Sequence, residues 1–327
     1  MGVFVVRRLA WTVVVLFVVV TLLFLLMRSI GGNPLRKGPL LGLSATASTG
    51  QGWVKYGDFQ PQAIADNQRR LYGLDRPWWR QYLDYVGHVA RLDFGPSLTF
   101  RYRSVNDILR EQGPLSLELG LLAVLWAVAL GLPLGILAAL RAGRIEDRAA
   151  TFVALAGFAI PNFLVATLLV SLFAVHLHWL PPNGWSEGWR EKVLPSFTLG
   201  LLPLAYVARL TRAGLVEAME QDYVRAARAK GLRRQRVVLV HGLRNALIPV
   251  ITAAGPLIGT LVTGVFVIEN VFAVPGIGRY YVAAVGARDY PLVLGLTIVL
   301  AACVILANLV VDLLYGVLDP RTRDARV

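Results

Sequence analysis

Leu9 to Met27 runs for 19 residues without a charged side chain, and Thr12 and Thr21 are its only hydroxyl residues. Wound as an α-helix at about 1.5 Å per residue, such a run reaches the roughly 30 Å of a bilayer's hydrocarbon layer. Five further apolar runs follow at about 114–140, 149–175, 195–213, 247–268 and 291–316. In hydrocarbon every backbone N–H and C=O needs a partner within the protein, so runs of this length dictate helices. The chain of 327 residues is 56% hydrophobic and 16% charged, far from a soluble domain. The expectation is an all-α integral membrane protein with six transmembrane helices and an extracytoplasmic helical insertion after the first.

Arg7 and Arg8 before the first run resemble the start of a secretory signal. The run is longer than a usual signal core and no small-x-small cleavage site follows, so it reads as a retained span. Pro133, Pro161, Pro203 and Pro256 fall inside expected spans, where each removes a backbone donor and should kink its helix.

The net charge of +13 reads as orientation rather than nucleic-acid binding, because cytoplasmic loops collect Lys and Arg. With the N-terminus inside, the inner segments hold 17 basic residues and the two short outer loops hold 4. The chain then divides into a first span (1–29), an extracytoplasmic segment (30–113), a five-helix core (114–316) with a cytoplasmic loop at 215–246, and a cytoplasmic tail (317–327). Within the outer segment, Gly38 to Gly52 reads as loop and Pro61 to Tyr72 as helix. A second helix after Asp75 carries Trp78, Tyr82, Tyr85, Val89 and Leu92 near one face, suited to a membrane interface or to the protein's own surface. Trp179, Trp185 and Trp189 mark an outer loop with the composition of an interface belt.

The loop from Leu215 to Asn245 is the longest inner segment. Glu217, Glu220 and Asp222 precede Arg225, Arg228 and Lys230, an order that suits a helix dipole. Met219, Tyr223, Ala226, Ala227 and Gly231 form a less charged face whose small residues admit close approach of a partner, and Gly231 suits a left-handed helix end. The shape fits a docking helix, and equally a solvated basic loop.

Asp222-Tyr223-Val224-Arg225-Ala226-Ala227-Arg228-Ala229-Lys230-Gly231-Leu232, followed by His241-Gly242-Leu243-Arg244-Asn245-Ala246-Leu247-Ile248-Pro249, resembles the EAA loop of ABC importer permeases. Ala226, Ala227, Gly231 and Leu243 match the general pattern. Arg225, His241 and Arg244 depart from it in the manner of the dipeptide, oligopeptide and nickel branch. Other stretches resemble the first permease subunit of that branch: Leu74-Asp75-Arg76-Pro77, Asp93-Phe94-Gly95-x-Ser97, Ile160-Pro161-Asn162-Phe163, Glu269-Asn270-Val271-Phe272-x-x-Pro275-Gly276-Ile277-Gly278, and Asp312-Leu313-Leu314-Tyr315. Gly31-Gly32-Asn33-Pro34 and a long stretch from Arg36 to Gln60 depart from it.

The resemblance implies a permease subunit of a binding-protein-dependent importer for peptides, or for nickel or another small solute. Its partners would be a second homologous permease, two ATPase subunits, an extracytoplasmic substrate-binding protein, the peptide and the lipid bilayer. Asp222, Tyr223, Arg225, Ala226, Ala227, Lys230, Gly231, Leu232, His241 and Arg244 would form the coupling element in an ATPase cleft. Glu269, Asn270, Phe272, Pro275, Gly276 and Gly278 would help close the outer end of the path, with Gly276 and Gly278 permitting turns that other residues resist, unless that stretch is a plain re-entry loop. Asn162, Asn308 and Asp312 are candidates to line the path or to pack in the bundle.

No Gly-x-x-x-x-Gly-Lys-Ser/Thr occurs, so ATP and Mg are expected on partner subunits and no cofactor on this chain. The spans hold almost no ionisable residues, which disfavours a cation-coupled carrier. His176 and His178 are too few for a metal site, Cys303 stands alone, and no nucleophile–base pair is legible, so neither metal nor enzyme activity is expected.

Overall fold

The computed structural model describes residues 2–29, 76–100, 102–185, 188–287 and 289–318. The expected loop at 38–52 and helix at 61–72 lie outside these residues. Ten α-helices of eight residues or more order the described chain: α1 (Gly2–Ser29), α2 (Trp78–Ala90), α3 (Val105–Leu140), α4 (Ile145–Ala159), α5 (Asn162–Leu169), α6 (Trp189–Glu220), α7 (Asp222–Ala229), α8 (Leu243–Val271), α9 (Ile277–Ala287) and α10 (Tyr290–Leu318). A π-helical stretch, Val170–His176, prolongs α5, and another, Val237–Gly242, leads into α8.

Five segments among the described residues are long and apolar enough to cross a membrane: Val6–Leu26, Val105–Leu140, Trp189–Glu220, Arg234–Gly255 and Tyr290–Val311. All five overlap expected spans: Val105–Leu140 and Trp189–Glu220 extend 114–140 and 195–213, Val6–Leu26 and Tyr290–Val311 lie close to 9–28 and 291–316, and Arg234–Gly255 begins well before the expected 247–268. The third expected span differs. It is not one kinked helix, because the chain leaves helical geometry at Ile160 and Pro161 begins α5 with φ −57° and ψ 135°. Proline cannot continue α4 and forces the residue before it out of the helical region, whereas it suits a helix start. Pro133 and Pro203 instead lie inside the continuous helices α3 and α6.

The described chain forms two compact units. In the first, residues 114–278 build a bundle around α6, which packs on α4, α5 and α8. Its closest crossings use small residues. A Cβ on Gly135 of α3 would stand 2.5 Å from the carbonyl oxygen of Ala208, and one on Gly200 would stand 2.6 Å from that of Ala123. Dispersion at such approach, with no solvent to expel, is what holds helices together in lipid. Gly131-Leu-Pro-Leu-Gly135 places its two glycines one turn apart on that contact, a spacing present in the sequence but unread above. Asn308 of α10 also packs here. Its Oδ1 would be 2.0 Å from a Cβ on Gly255, so this candidate path residue fills a helix crossing.

The second unit comprises residues 13–113 and 279–302. Asp289 organises it. Fully buried, its carboxylate caps α10 by accepting the Leu292 N–H at 3.2 Å, and it also accepts Ser97 Oγ at 2.5 Å and the Thr99 N–H at 2.9 Å. The Asp93-Phe94-Gly95-x-Ser97 stretch is thereby tied to the last helix, with Gly95 at φ +78° in the turn.

Candidate functional site

The candidate coupling element starts where α6 ends. Gln221 takes an extended conformation (φ −73°, ψ 150°), which breaks the helix and lets α7 leave in a new direction. Two inward residues, Val224 and Ala227, pack with Val237, Met219 and Leu232. The C-terminus of α7 closes in a Schellman motif: Gly231 N–H donates to Arg228 O at 2.9 Å and Leu232 N–H to Ala227 O at 3.4 Å. Gly231 sits at φ +73° with open space around its Cα, so glycine is required there by backbone conformation and not by a neighbour.

This geometry corrects the sequence reading of the docking face. Ala227 is 6% exposed and is turned onto the chain's own core, so it anchors α7 rather than meeting a partner. Leu232 joins the same anchor. Tyr223, Ala226 and Lys230 are exposed and fall at i, i+3 and i+7, an outward stripe beside the exposed Asp222 and Arg225. Asp222 and Arg225 are exposed and paired at 3.4 Å, a contact worth little in water. His241 is half-buried in the π-helical stretch, and Arg244 is exposed at the start of α8. The foot of the element is held tightly, since a Cβ on Gly214 of α6 would meet Ala246 O of α8 at 2.8 Å.

A polar anchor joins α4 to α6 through Arg212, which lies ten residues before α7 begins at Asp222. Asp147, in the first turn of α4, is 4% exposed. It accepts two hydrogen bonds from the Arg212 guanidinium, that from Nη2 at 2.7 Å, and a third from the Gly143 N–H at 2.8 Å. The guanidinium first, and then the Gly143 amide, push its carboxyl down to about 2. Sequence reading missed this pair. The available signal was an acid in the tight basic turn at Arg141–Arg148 and an arginine at the inner edge of an apolar run.

The candidate gate stretch is built around Glu269. Its side chain is fully buried at the end of α8. Oε1 accepts Ser116 Oγ–H at 2.5 Å and Oε2 accepts the Gly278 N–H at 2.6 Å, while Ser116 Oγ takes the Ile277 N–H at 2.9 Å. One carboxyl and one hydroxyl thus satisfy amides of the first turn of α9, which have no partner within the helix. A Cβ on Gly276 would stand 2.1 Å from Glu269 Oε1, and one on Gly278 would stand 2.7 Å from Oε2. The two glycines therefore serve close approach of the carboxyl. The sequence reading assigned them to turn conformations, yet neither has positive φ; the left-handed residue is Ala273, at φ 53°.

Around this clamp, Phe272 and Val274 are fully buried against Leu119, Leu194 and Trp185. Phe272 O also receives the Gly184 N–H at 3.1 Å. Asn270 is exposed and donates back to Phe266 O at 2.8 Å, and Pro275 is exposed. Beside the clamp on α3, Glu118 accepts Lys192 Nζ at 2.5 Å and Trp185 Nε1 at 3.2 Å. Asn162 is half-buried at the start of α5. The side chain of Asp312 lies outside the described residues. His176 and His178 engage neighbouring carbonyls, with Nδ1 of His176 2.7 Å from Ser171 O.

Residues 131–324 match the family described as binding-protein-dependent transport system inner membrane component. The chain is 41% identical over 308 residues to the dipeptide transport system permease protein DppB of Bacillus subtilis (strain 168), covering 94% of each chain. It is 38% identical over 321 residues to the oligopeptide transport system permease protein OppB of Escherichia coli (strain K12), covering 98% of this chain and 99% of that one. Among solved structures it is similar to the MetNI methionine ABC transporter in an inward-facing conformation, with a TM-score of 0.53 and 20% identity over 65% of this chain and 96% of that chain. At that identity the likeness speaks for the fold alone.

Proposed function

The chain belongs to the family of binding-protein-dependent transport system inner membrane components, and from that premise we propose that it imports peptides as the first of two related permease subunits in an ABC importer. The observation that carries the substrate is near full-length similarity to relatives named for dipeptide and for oligopeptide transport. As a multi-pass inner membrane protein it draws its driving energy from separate ATPase subunits. The second permease, a pair of ATPases and an extracytoplasmic binding protein complete the assembly. Both termini and α7 face the cytoplasm, on the asymmetry of basic residues.

In this reading α7 is the coupling helix. Its outward stripe of Tyr223, Ala226 and Lys230 enters the ATPase cleft, while Val224 and Ala227 make it rigid with the bundle. ATP-driven closure below then moves α6 and α8 as bodies, a switch between two packings. The Glu269 clamp keeps the outer-end stretch in one piece during that switch, so the gate turns as a unit.

The test is Ala226→Trp in the complete complex in liposomes. Position 226 is exposed, so an indole there leaves the bundle intact and obstructs only a partner. Uptake of labelled di- and oligopeptides and substrate-stimulated ATP hydrolysis are expected to fall together. Normal uptake would remove α7 from the interface, and uptake of nickel without peptide would overturn the substrate. A cysteine at position 228 in a Cys303→Ser background that reacts with impermeant reagent from outside would reverse the orientation.

A further inference from the structure

α2 belongs to the unit that contains most of α1, and their contact fixes its height. Tyr82 Oη lies 2.7 Å from Thr21 Oγ1, and the Phe24 ring meets Tyr82 and Tyr85 at centroid distances of 5.3 and 5.7 Å. The apolar span of α1 ends at Leu26. Thr21 and Phe24 are five and two residues before that end, so α2 rests about 8 to 3 Å inside the edge of the apolar layer at about 1.5 Å per residue. An amphipathic helix lying in a membrane interface buries its apolar face by about 5–10 Å.

The side of α2 that α1 does not cover is also apolar. Trp79 and Leu83 stand one turn apart and are 47% and 59% exposed, and Trp78 at the helix start is 54% exposed. Polar residues keep to another side. Arg80, Asp84 and His88 follow at i, i+4 and i+8, with Asp84 paired to Arg76 at 2.9 Å and His88 Nδ1 3.2 Å from Asp93 Oδ2. Arg80 lies over the Trp79 ring at 5.0 Å, bringing a cation to the rim of the apolar side. Leu22, Leu25 and Leu26 of α1 are exposed at the same end, so the uncovered face of α2 continues a surface that lipid covers.

We propose that α2 is an interfacial helix seated in the outer leaflet, with Trp78, Trp79 and Leu83 in the headgroup–acyl boundary and Arg80 reaching toward lipid phosphate. The face expected from sequence, Tyr82 with Tyr85, is the one turned to α1, and the lipid-facing side is its neighbour. Tryptophan suits this boundary because its ring is apolar and its N–H stays wet. The helix thereby braces α1 against tilting where the span leaves the bilayer.

The test uses the full chain in its complex, in phospholipid vesicles, with Cys303→Ser and single nitroxide-labelled cysteines at 79, 83 and 84. A label at Phe17, exposed on α1, is the control for a lipid-facing span. Labels at 79 and 83 are expected to collide with oxygen more than with a water-soluble nickel chelate, as at position 17, and the label at 84 to show the reverse. Chelate access at 79 and 83 equal to that at 84 would put the face in water. Immobile labels shielded from both reagents would mean that a protein partner covers it. Either result overturns the proposal while leaving the spanning reading intact. Chelate access at position 17 would defeat both.

Discussion

Gly276→Ala tests the Glu269 clamp directly. The added methyl would fall 2.1 Å from Glu269 Oε1, 2.3 Å from its Cδ and 2.5 Å from Oε2, so the whole carboxyl must retreat by roughly 1 Å in a close-packed interior. Overpacking of this kind costs about 1–3 kcal/mol. Retreat also lengthens the bonds from Ser116 and from the Gly278 N–H, and a buried group left unpaired costs about 1–3 kcal/mol more. The expected loss is about 2–6 kcal/mol, read as the unfolding midpoint of the purified protein in mixed micelles. Glu269→Ala is costly by itself but vacates the space, so adding Gly276→Ala to it is expected to cost less than in the native background by about 1 kcal/mol or more. An equal cost for Gly276→Ala in both backgrounds would show that the methyl does not meet the carboxyl, and the account of the clamp would fail.

Two further expectations concern the Asp147–Arg212 pair and the end of α7. Arg212→Ala leaves the buried Asp147 carboxylate with only the Gly143 amide and is expected to destabilise by about 3 kcal/mol, the low end for breaking such a pair because the guanidinium is one-third exposed. Since the Asp147 carboxyl is depressed to about 2 when folded, its contribution is complete above its unfolded value of about 3.9 and disappears as pH falls through about 2. Stability should therefore not change through this pair between about pH 5 and 8, and a loss near neutrality that vanishes in Arg212→Ala would contradict it. Gly231→Ala meets no neighbour but holds an L-residue at φ +73°, for about 1–2 kcal/mol. The local opening of α7 by amide hydrogen exchange should rise accordingly, and unchanged protection at Leu232 would refute the Schellman closure.

Where the sequence could be read, the reason is periodicity and length. Apolar runs of span length admit one solution in lipid, so α1, α3, α6, α8 and α10 were legible, and the left-handed end at Gly231 followed from glycine after a charged helix. Direction within the third run was not legible, because hydropathy does not report whether Pro161 bends a helix or ends it. The face of α7 was misread at Ala227 for a related reason. An alanine fits both an interface and a core, and only the position of Val237 and Leu232 in space decides between them. Gly276 and Gly278 were singled out correctly as a pair but for the wrong cause, since the carboxyl that needs the room lies seven and nine positions earlier on another helix.

Three buried carboxyls share one role, and it bears on where the driving energy enters. Glu269 accepts the Gly278 N–H, Asp147 the Gly143 N–H, and Asp289 the Thr99 and Leu292 N–H groups. Each stands at a helix terminus or turn, where backbone amides lack helical partners and an apolar surround offers no water. Each is further tied to a side chain of another segment: Ser116, Arg212 or Ser97. A carboxyl engaged in this way is committed to holding two segments together, and releasing it to take up and discharge a coupling cation would unpair several backbone groups at once. Ionisable side chains in these described segments thus act as joints, which suits a permease whose helices move as bodies. The force for that motion has to arrive through a mechanical contact, and α7, short, exposed on one stripe and packed by Val224 and Ala227 on Met219 of α6 and Val237 of the π-helical stretch, is the element we propose receives it.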